Sequence, residues 1–140
     1  MLKDILIVDG YNVIFAWQSL KKLANESLEH ARMELRNQLL NYGKFKGYEV
    51  ILVFDGKYTK SIASIEEITK GFIEVYTDDG ETADSFIERE VFLRQGKYTN
   101  VYVVTSDGAE QNQILGSGGL RIPARELQND MRLAKQEERL

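Results

Sequence analysis

No cysteine occurs among the 140 residues, and histidine and proline occur once each. Without cysteine the chain has no disulfide, thiolate metal site or cysteine nucleophile. The single histidine, His30, falls within a predicted long helix, where we interpret it as a surface residue rather than a general base. No apolar run approaches the ~20 residues needed to cross a bilayer, and the first residues enter a predicted strand without the pattern of a signal peptide. We therefore expect a cytoplasmic protein without a membrane segment.

Several common catalytic motifs are also absent. The sequence has no GxxxxGK[ST] phosphate-binding loop and no GxSxG nucleophile elbow. The glycine-rich stretch at 116–119 follows a predicted helix instead of the first strand, so it is not a dinucleotide-binding fingerprint. The net charge of −4, from 22 acidic and 18 basic residues, leaves a nucleic-acid partner open, because an acidic metal site and a basic rim can coexist on one surface.

Apolar periodicity predicts a single α/β domain over residues 1–140 with a mainly parallel sheet flanked by helices. Helices are predicted at 25–46, at 83–96, after Asp107 as far as Gly116, and from Pro123 onward. The residues expected to face inward are Ala83, Phe86, Ile87, Val91 and Leu93 in the second of these and Ala124, Leu127, Met131 and Ala134 in the last. The irregular stretch 56–70 is interpreted as a surface loop. Strands are predicted at 4–9, 48–55, 71–79 and 100–107, with an edge strand at 120–122.

Aspartates stand at the ends of these predicted strands: Asp9, Asp55, Asp78 with Asp79, and Asp107. In open α/β sheets, ligands bind in the crevice outside the carboxyl ends of the strands. Parallel strands bring those ends to one edge, so several of the carboxylates are expected to face a common crevice. Glu81 and Asp84 are three residues apart, which predicts that both lie on one face of the first turn of the next helix, at the same edge. Glu88 lies further along that face.

Gathered carboxylates repel one another, by about 4 kcal/mol for two charges at 4 Å and an effective dielectric constant near 20. Either some are protonated with raised pKa values, or a cation neutralises them. Oxygen ligands without cysteine favour Mg²⁺ or Mn²⁺ over zinc. Such an ion can activate a water and stabilise a leaving oxygen, so metal-assisted phosphodiester hydrolysis is the simplest chemistry for this set.

Each candidate residue also has a structural explanation. Asp55-Gly56 and Asp79-Gly80 are ordinary turn dipeptides, and acidic residues in a first helical turn favour the helix dipole. Asn12 is either a helix cap or an amide that orients a ligand. Three aromatic residues near the first strand are interpreted as packing rather than base-stacking residues: Tyr11, Phe15 and Trp17. Three basic residues near the cluster are the candidates for phosphate contacts: Lys57, Arg121 and Arg125.

The sequence resembles the NYN-domain branch of the PIN-like nucleases, and more narrowly the YacP type, which are described as ribosome-associated messenger-RNA endonucleases. The likeness covers almost the whole chain. The segments that carry it are Ile5–Asn12 (ILIVDGYN), Val53–Gly56 (VFDG), Glu81–Asp84 (ETAD), Thr105–Asp107 (TSD) and Gly118–Leu127 (GGLRIPAREL).

The resemblance implies a Rossmann-like PIN fold and a metal-dependent endoribonuclease acting on RNA, in particular messenger RNA at the ribosome. It implies that Asp9, Asp84 and Asp107 bind Mg²⁺ or Mn²⁺, with Asn12 and Glu81 supporting, and Asp55 adds a further carboxylate. Some NYN proteins are thought to bind RNA without cutting it, so a non-catalytic RNA- or ribosome-binding module is the alternative. A phosphatase that uses a phospho-aspartate is a weaker one, because Asp9-Gly10-Tyr11 lacks the second aspartate.

Overall fold

A six-stranded sheet forms the centre of the molecule, with the strand order β3-β4-β2-β1-β5-β6. The computed structural model describes residues 2–58, 62–105 and 118–138. Every neighbouring pair of strands is parallel except β3 and β4, which are antiparallel. The predicted α/β architecture with a mainly parallel sheet is therefore confirmed. The strands are β1 (Ile5–Asp9), β2 (Glu49–Phe54), β3 (Ser64–Thr69), β4 (Phe72–Tyr76), β5 (Val101–Thr105) and β6 (Leu120–Pro123).

The strand β3 corrects the prediction of a surface loop at 56–70. It is an edge strand whose residues are almost all exposed, with a register shift between Glu67 and Thr69. An edge strand that is solvated on both faces does not need the apolar run by which buried strands are recognised. The chain then reverses into β4 through Gly71, whose φ of 85° favours glycine.

Five α-helices flank the sheet in the described residues: α1 (Gly10–Ala16), α2 (Gln18–Glu26), α3 (Leu28–Lys46), α4 (Ala83–Arg94) and α5 (Ala124–Glu138). The predicted helix at 25–46 begins later, at Leu28, because Ser27 caps it by accepting a hydrogen bond from the His30 amide at 3.1 Å. His30 is exposed as expected and lies in the first turn of this helix. The predicted helix after Asp107 lies outside the described residues.

Helices α1 and α2 were not predicted from the sequence. They meet at Trp17, whose extended backbone separates them and whose side chain is buried. The Trp17 indole N–H donates to the carbonyl oxygen of Ala124 at 2.8 Å. This hydrogen bond holds the junction between the two helices against the start of α5. The junction is therefore formed by a buried tryptophan and not by the polar residues that usually indicate a turn in a sequence.

The two faces of the sheet carry separate apolar clusters. On one face, Leu6 and Val8 of β1 pack with residues of α1, α2, α3 and α5. On the other, Ile5 and Ile7 pack with residues of α4. Strand β1 is therefore buried on both faces, as its continuous apolar run predicts.

The inward faces of the last two described helices agree with the sequence pattern except at one position. Leu93 of α4 is 51% exposed, because it falls on the outer side of the helix. Pro123 ends β6 and α5 begins at Ala124, one residue later than predicted. The expected buried residues are confirmed: Ala83, Phe86, Ile87 and Val91 in α4, and Ala124, Leu127, Met131 and Ala134 in α5. None of the helices in the described part of the chain is long and apolar enough to span a bilayer.

Candidate active site at the carboxyl edge of the sheet

A pocket of about 230 Å³ opens at the ends of β1 and β2, beside the first turn of α4. Its position follows from strand register: Asp9 ends β1 and pairs with Val53 of the parallel strand β2. Asp55 comes two residues after Val53, so both aspartates are directed toward the side of the sheet that α4 covers. The described residues that line the pocket are Asp9, Tyr11, Asn12, Phe15, Asp55, Lys57, Tyr58, Thr82, Ala83 and Asp84.

Asp9 is the most buried carboxylate of the pocket, at 5% exposure. Burial, with smaller contributions from the negative charges of Asp84 and Asp55, raises the pKa of Asp9 to about 6. The Asn12 side-chain amide donates to Asp9 Oδ2 at 2.6 Å, which opposes the shift. Asn12 lies within α1 and is not its cap, so of its two sequence interpretations the orienting amide fits this structure.

Asp55 joins the loop after β2 to the start of α4. It is 9% exposed; its Oδ1 accepts from the Lys57 amide at 3.0 Å and its Oδ2 from the Ala83 amide at 3.3 Å. Amides at a helix N-terminus have no partner within the helix, and a carboxylate there is stabilised by the helix dipole. Asp55 therefore has a structural role in holding α4 against the pocket, beside its electrostatic effect on Asp9.

Asp84 reaches the pocket from the first turn of α4. Thr82 caps this helix by accepting a hydrogen bond from the Ser85 amide at 3.1 Å. The cap places Asp84 at the rim, where its side chain is exposed and faces Asp9 closely enough to raise the pKa of that residue. Two carboxylates distant in sequence are thus brought together, as predicted.

Glu81 is not brought to the pocket. Because Thr82 caps α4, Glu81 lies before the helix and does not share a helical face with Asp84. It forms an ion pair with Arg89 at 2.6 Å, and the Arg89 guanidinium lowers the pKa of Glu81. Glu88 is exposed and does not line the pocket.

Lys57 is the basic residue among the described residues that line the pocket. Arg121 lies in β6, and its Nε atom has no hydrogen-bond partner in the described part of the chain. Arg125 is exposed in the first turn of α5. Neither arginine belongs to the described lining of the pocket, so of the three predicted phosphate contacts only Lys57 is placed there.

The oxygen donors of the pocket suit a hard cation such as Mg²⁺ or Mn²⁺. Asp9 and Asp84, two of the three predicted metal ligands, face one another, and the third, Asp107, lies outside the described residues. Within residues 2–58, 62–105 and 118–138, no group of three acidic or histidine side chains is close enough to hold a metal ion. The described donors thus fit such an ion in kind but form only part of a complete ligand set.

A family model described as the YacP-like NYN domain matches residues 6–139. The chain belongs to this family. It is 42% identical over 125 residues to the protein YacP of Bacillus subtilis strain 168, covering 89% of this chain and 72% of that protein. Membership places the chain in a nuclease-type family.

Two crystal structures of Rae1 (YacP) from Bacillus subtilis have the same fold. The W164L mutant superposes with a TM-score of 0.79 at 36% identity, covering 96% of this chain and 77% of the other. The second structure of Rae1 (YacP) gives a TM-score of 0.77 at 36% identity, with coverages of 97% and 78%. The YacP-like architecture expected from the motifs is confirmed.

Two glycines of the YacP-like sequence are required by close packing, which the turn-dipeptide interpretation did not anticipate. A Cβ on Gly10 would overlap the ring of Phe54, and a Cβ on Gly56 would overlap the carbonyl oxygen of Thr77. Neither glycine has a positive φ. By contrast, a Cβ on Gly80 would meet nothing, and the adjacent Asp78 and Asp79 are exposed turn residues, as predicted.

Thr77 is a residue of the site region that was not predicted from the sequence. It is 3% exposed; its hydroxyl accepts from the Gly56 amide at 2.9 Å and donates to the Glu81 carbonyl oxygen at 2.8 Å. It therefore ties the loop that carries Asp55 to the segment that leads into α4. A threonine after a strand is common in sequences, and no pattern singles it out.

Phe15 and Tyr58 were not predicted at the site either. Tyr11 and Trp17 are buried as predicted, whereas Phe15 packs against the Tyr11 ring but is 47% exposed and is therefore not a core residue. Tyr58, at 54% exposure, also lines the pocket. The acidic pocket therefore has an aromatic side.

Proposed function

We propose that this protein is a divalent-metal-dependent endoribonuclease that hydrolyses phosphodiester bonds in RNA. The observation that carries the proposal is the pair Asp9 and Asp84 at the carboxyl edge of the sheet. Asp9 is 5% exposed and faces the like charges of Asp84 and Asp55, and no ion pair joins it to a cation among the described residues. A bound cation would remove this repulsion and make the buried charge favourable.

Each residue of the proposed site has a distinct task. Asp9 and Asp84 would hold Mg²⁺ or Mn²⁺, with Asp107 as the third ligand that the family resemblance implies. The ion would supply an activated water and charge stabilisation on the leaving oxygen. Asn12 orients Asp9 through its 2.6 Å hydrogen bond, and Asp55 fixes the position of α4. Lys57 would contact a phosphate of the substrate.

The deciding experiment compares wild-type protein with Asp84→Asn in a cleavage assay that uses single-stranded RNA with Mn²⁺ or Mg²⁺. Asp84 is exposed, so the variant keeps the fold, and we expect cleavage to fall by more than the roughly 10- to 100-fold that the loss of an outer-shell partner of a metal ligand costs. Asp78→Asn is the matched control, because Asp78 is an exposed turn residue outside the pocket. Folded Asp84→Asn that cuts at the wild-type rate would refute the site. A DNA strand of the same sequence tests the preference for RNA.

The proposed substrate is messenger RNA in association with the ribosome, in the cytoplasm. The resemblance of the sequence motifs to the YacP type supports this choice, and membership in the YacP-like NYN family supports RNA as the substrate. Addition of purified ribosomes and a translated messenger RNA to the assay tests it. The cleavage rate should rise only when the messenger RNA is bound by the ribosome.

A non-catalytic RNA- or ribosome-binding module is the second candidate. It is favoured by exposed Phe15 and Tyr58 beside Lys57 in the pocket lining, because aromatic rings and a basic residue can bind RNA without a metal ion. This alternative predicts that RNA or ribosome association survives Asp84→Asn and that no metal-dependent products form. Cosedimentation with ribosomes, measured beside the cleavage assay, separates the two functions.

A further inference from the structure

Two large aromatic side chains are exposed at the rim of the acidic pocket. Phe15 of α1 is 47% exposed and Tyr58 is 54% exposed, and both line the same pocket as Asp9 and Asp84. Exposed apolar residues are common when they stand alone. These two, however, converge on one site, from different parts of the chain.

Both rings pack against the ring of Tyr11. The ring centroid of Tyr11 is 6.3 Å from that of Phe15 and 5.1 Å from that of Tyr58. Tyr11 itself is 4% exposed, packs on Phe54 at 5.0 Å and accepts a hydrogen bond from Arg32 at 3.3 Å. The exposed rings therefore rest on a fixed, buried ring, and their outward surfaces remain in solvent.

A positive charge accompanies the rings. The ammonium group of Lys57 lies 5.5 Å from the centroid of the Tyr58 ring. The same pocket carries Asp9 and Asp84, which repel a phosphate unless a cation lies between them. The pocket lining thus combines a cation, aromatic faces and acidic oxygens. Aromatic faces beside a basic residue are the combination that binds single-stranded nucleic acid.

We infer that Phe15 and Tyr58 stack on an unpaired nucleobase of the substrate, next to the phosphodiester at Asp9 and Asp84, with Lys57 on a neighbouring phosphate. This inference rests on the proposed function and adds a requirement to it: the RNA must be single-stranded at the cleavage position, because a paired base cannot lay its face on the rings. Stacking tolerates any base, so the rings select for an unpaired strand more than for a sequence.

The experiment measures the affinity for a short, unstructured, fluorescein-labelled RNA in the Asp84→Asn background with Mg²⁺, where the probe is not cut. Phe15→Leu and Tyr58→Leu keep apolar volume but remove the aromatic face, and we expect each to weaken binding by about 5- to 100-fold. Tyr58→Phe keeps the face and should bind like the parent. Phe92→Leu is the matched control, because Phe92 is 67% exposed on α4 and outside the pocket.

A probe with one abasic nucleotide at successive positions tests the pairing of ring and base. At the stacked position, removal of the base should weaken binding to the parent, and Phe15→Leu should cause little further loss there. Loss of a ring should leave the salt dependence of binding unchanged, whereas Lys57→Met should reduce its slope by about 0.7.

The outcomes separate this inference from the proposed function. Equal affinity of the folded leucine variants and the parent, an equal loss for Tyr58→Phe and Tyr58→Leu, or equal binding of duplex and single-stranded RNA each overturns the stacking inference. If wild type cleaves RNA while the ring variants bind normally, and cut normally when made in the wild-type chain, only stacking is wrong. If binding depends on the rings but wild type does not cleave, stacking stands and the nuclease proposal is wrong. Wild-type protein that neither binds nor cleaves RNA refutes both.

Discussion

Two buried carboxylates on opposite faces of the sheet have opposite surroundings. Glu74 of β4 is 2% exposed and accepts two hydrogen bonds from Arg36 of α3, at 2.9 and 2.7 Å. Asp9 of β1 is 5% exposed, accepts a hydrogen bond from the neutral amide of Asn12 and faces the carboxylates of Asp84 and Asp55. The protein neutralises one of its buried charges and leaves the other beside like charges.

The difference distinguishes a structural carboxylate from a functional one. A buried charge with a bidentate cation partner is satisfied within the fold, although replacing such a pair with apolar residues is often neutral. A buried carboxylate among like charges destabilises the folded state, and its raised pKa records that cost. Perturbed groups of this kind concentrate at functional sites. The comparison therefore points to Asp9 without reference to any motif.

The largest expected effect comes from removing the cation partner of Glu74. Arg36→Met leaves that carboxylate buried and unpaired, which should lower the free energy of unfolding by about 3 kcal/mol. Urea denaturation checks this value, with Arg94→Met as the control, since the Arg94–Glu90 pair is a local pair on one helix. The double variant Arg36→Met/Glu74→Leu should recover most of the loss. If Arg36→Met alone were neutral, the pairing would not be what makes the burial of Glu74 tolerable.

Asp9→Asn should move stability in the opposite direction. The rise of the Asp9 pKa from 3.8 to about 6 corresponds to a destabilisation of up to about 3 kcal/mol, at about 1.4 kcal/mol per pKa unit. Asparagine keeps the shape without the charge, so the metal-free variant should be more stable than wild type above pH 6, while cleavage is lost. Glu74→Gln is the matched comparison, and we expect it to destabilise.

The gain in stability from Asp9→Asn should depend on pH in a definite direction. Below pH 3.8 the carboxyl is neutral in both folded and unfolded states, and above about pH 6 it is ionised in both. The penalty is therefore absent in acid, grows through this window and is complete above it. The stability advantage of Asp9→Asn over wild type should shrink as the pH falls from 6 toward 4. An advantage of constant size across the window would show that its origin is not the charge.

Mn²⁺ should stabilise the wild-type protein by binding between Asp9 and the carboxylates that Asp9 faces. An ion that binds only the folded state stabilises by RT ln(1 + [L]/Kd), about 1.4 kcal/mol at ten times Kd. The midpoint of thermal unfolding should therefore rise with Mn²⁺ concentration in wild type, and much less in Asp84→Asn. NaCl at matched ionic strength controls for screening. Equal shifts of the unfolding midpoint in both proteins would show that the ion binds at a different site.

The sequence predicts those parts of the molecule in which burial imposes a pattern. Strands β1, β2, β4 and β5 are buried on both faces, so their apolar runs are visible, and an aspartate at the end of such a run is readily noticed. Strand β3 has no such run because solvent covers it. Helices α1 and α2 are not predicted because their junction at Trp17 is set by a hydrogen bond to Ala124, a contact between residues far apart in the chain.

The candidate site is predicted in part for a similar reason. Asp9, Asp55 and Asp84 are found because strand ends and a helix start determine their positions. Contrary to the prediction from the spacing, Glu81 does not share a helical face with Asp84, because Thr82 is the cap of α4 and Glu81 therefore lies before the helix. The exposure of Phe15 cannot be read from the sequence, because the same residue type in a short helix is usually buried.

The smallest expected effect concerns Glu81, a half-buried carboxylate that completes the comparison. Its partner Arg89 is exposed, and ion pairs in contact with solvent contribute little because water and salt screen them. Glu81→Gln should therefore leave the unfolding midpoint unchanged within error, and cleavage should stay near the wild-type rate because the side chain faces Arg89 and not the pocket. Arg89→Gln is the control that removes the same pair from the other side. A large loss of cleavage in Glu81→Gln, with none in Arg89→Gln, would mean that Glu81 leaves Arg89 and binds the metal ion. The distinction between structural and functional carboxylates would then hold only for the metal-bound protein.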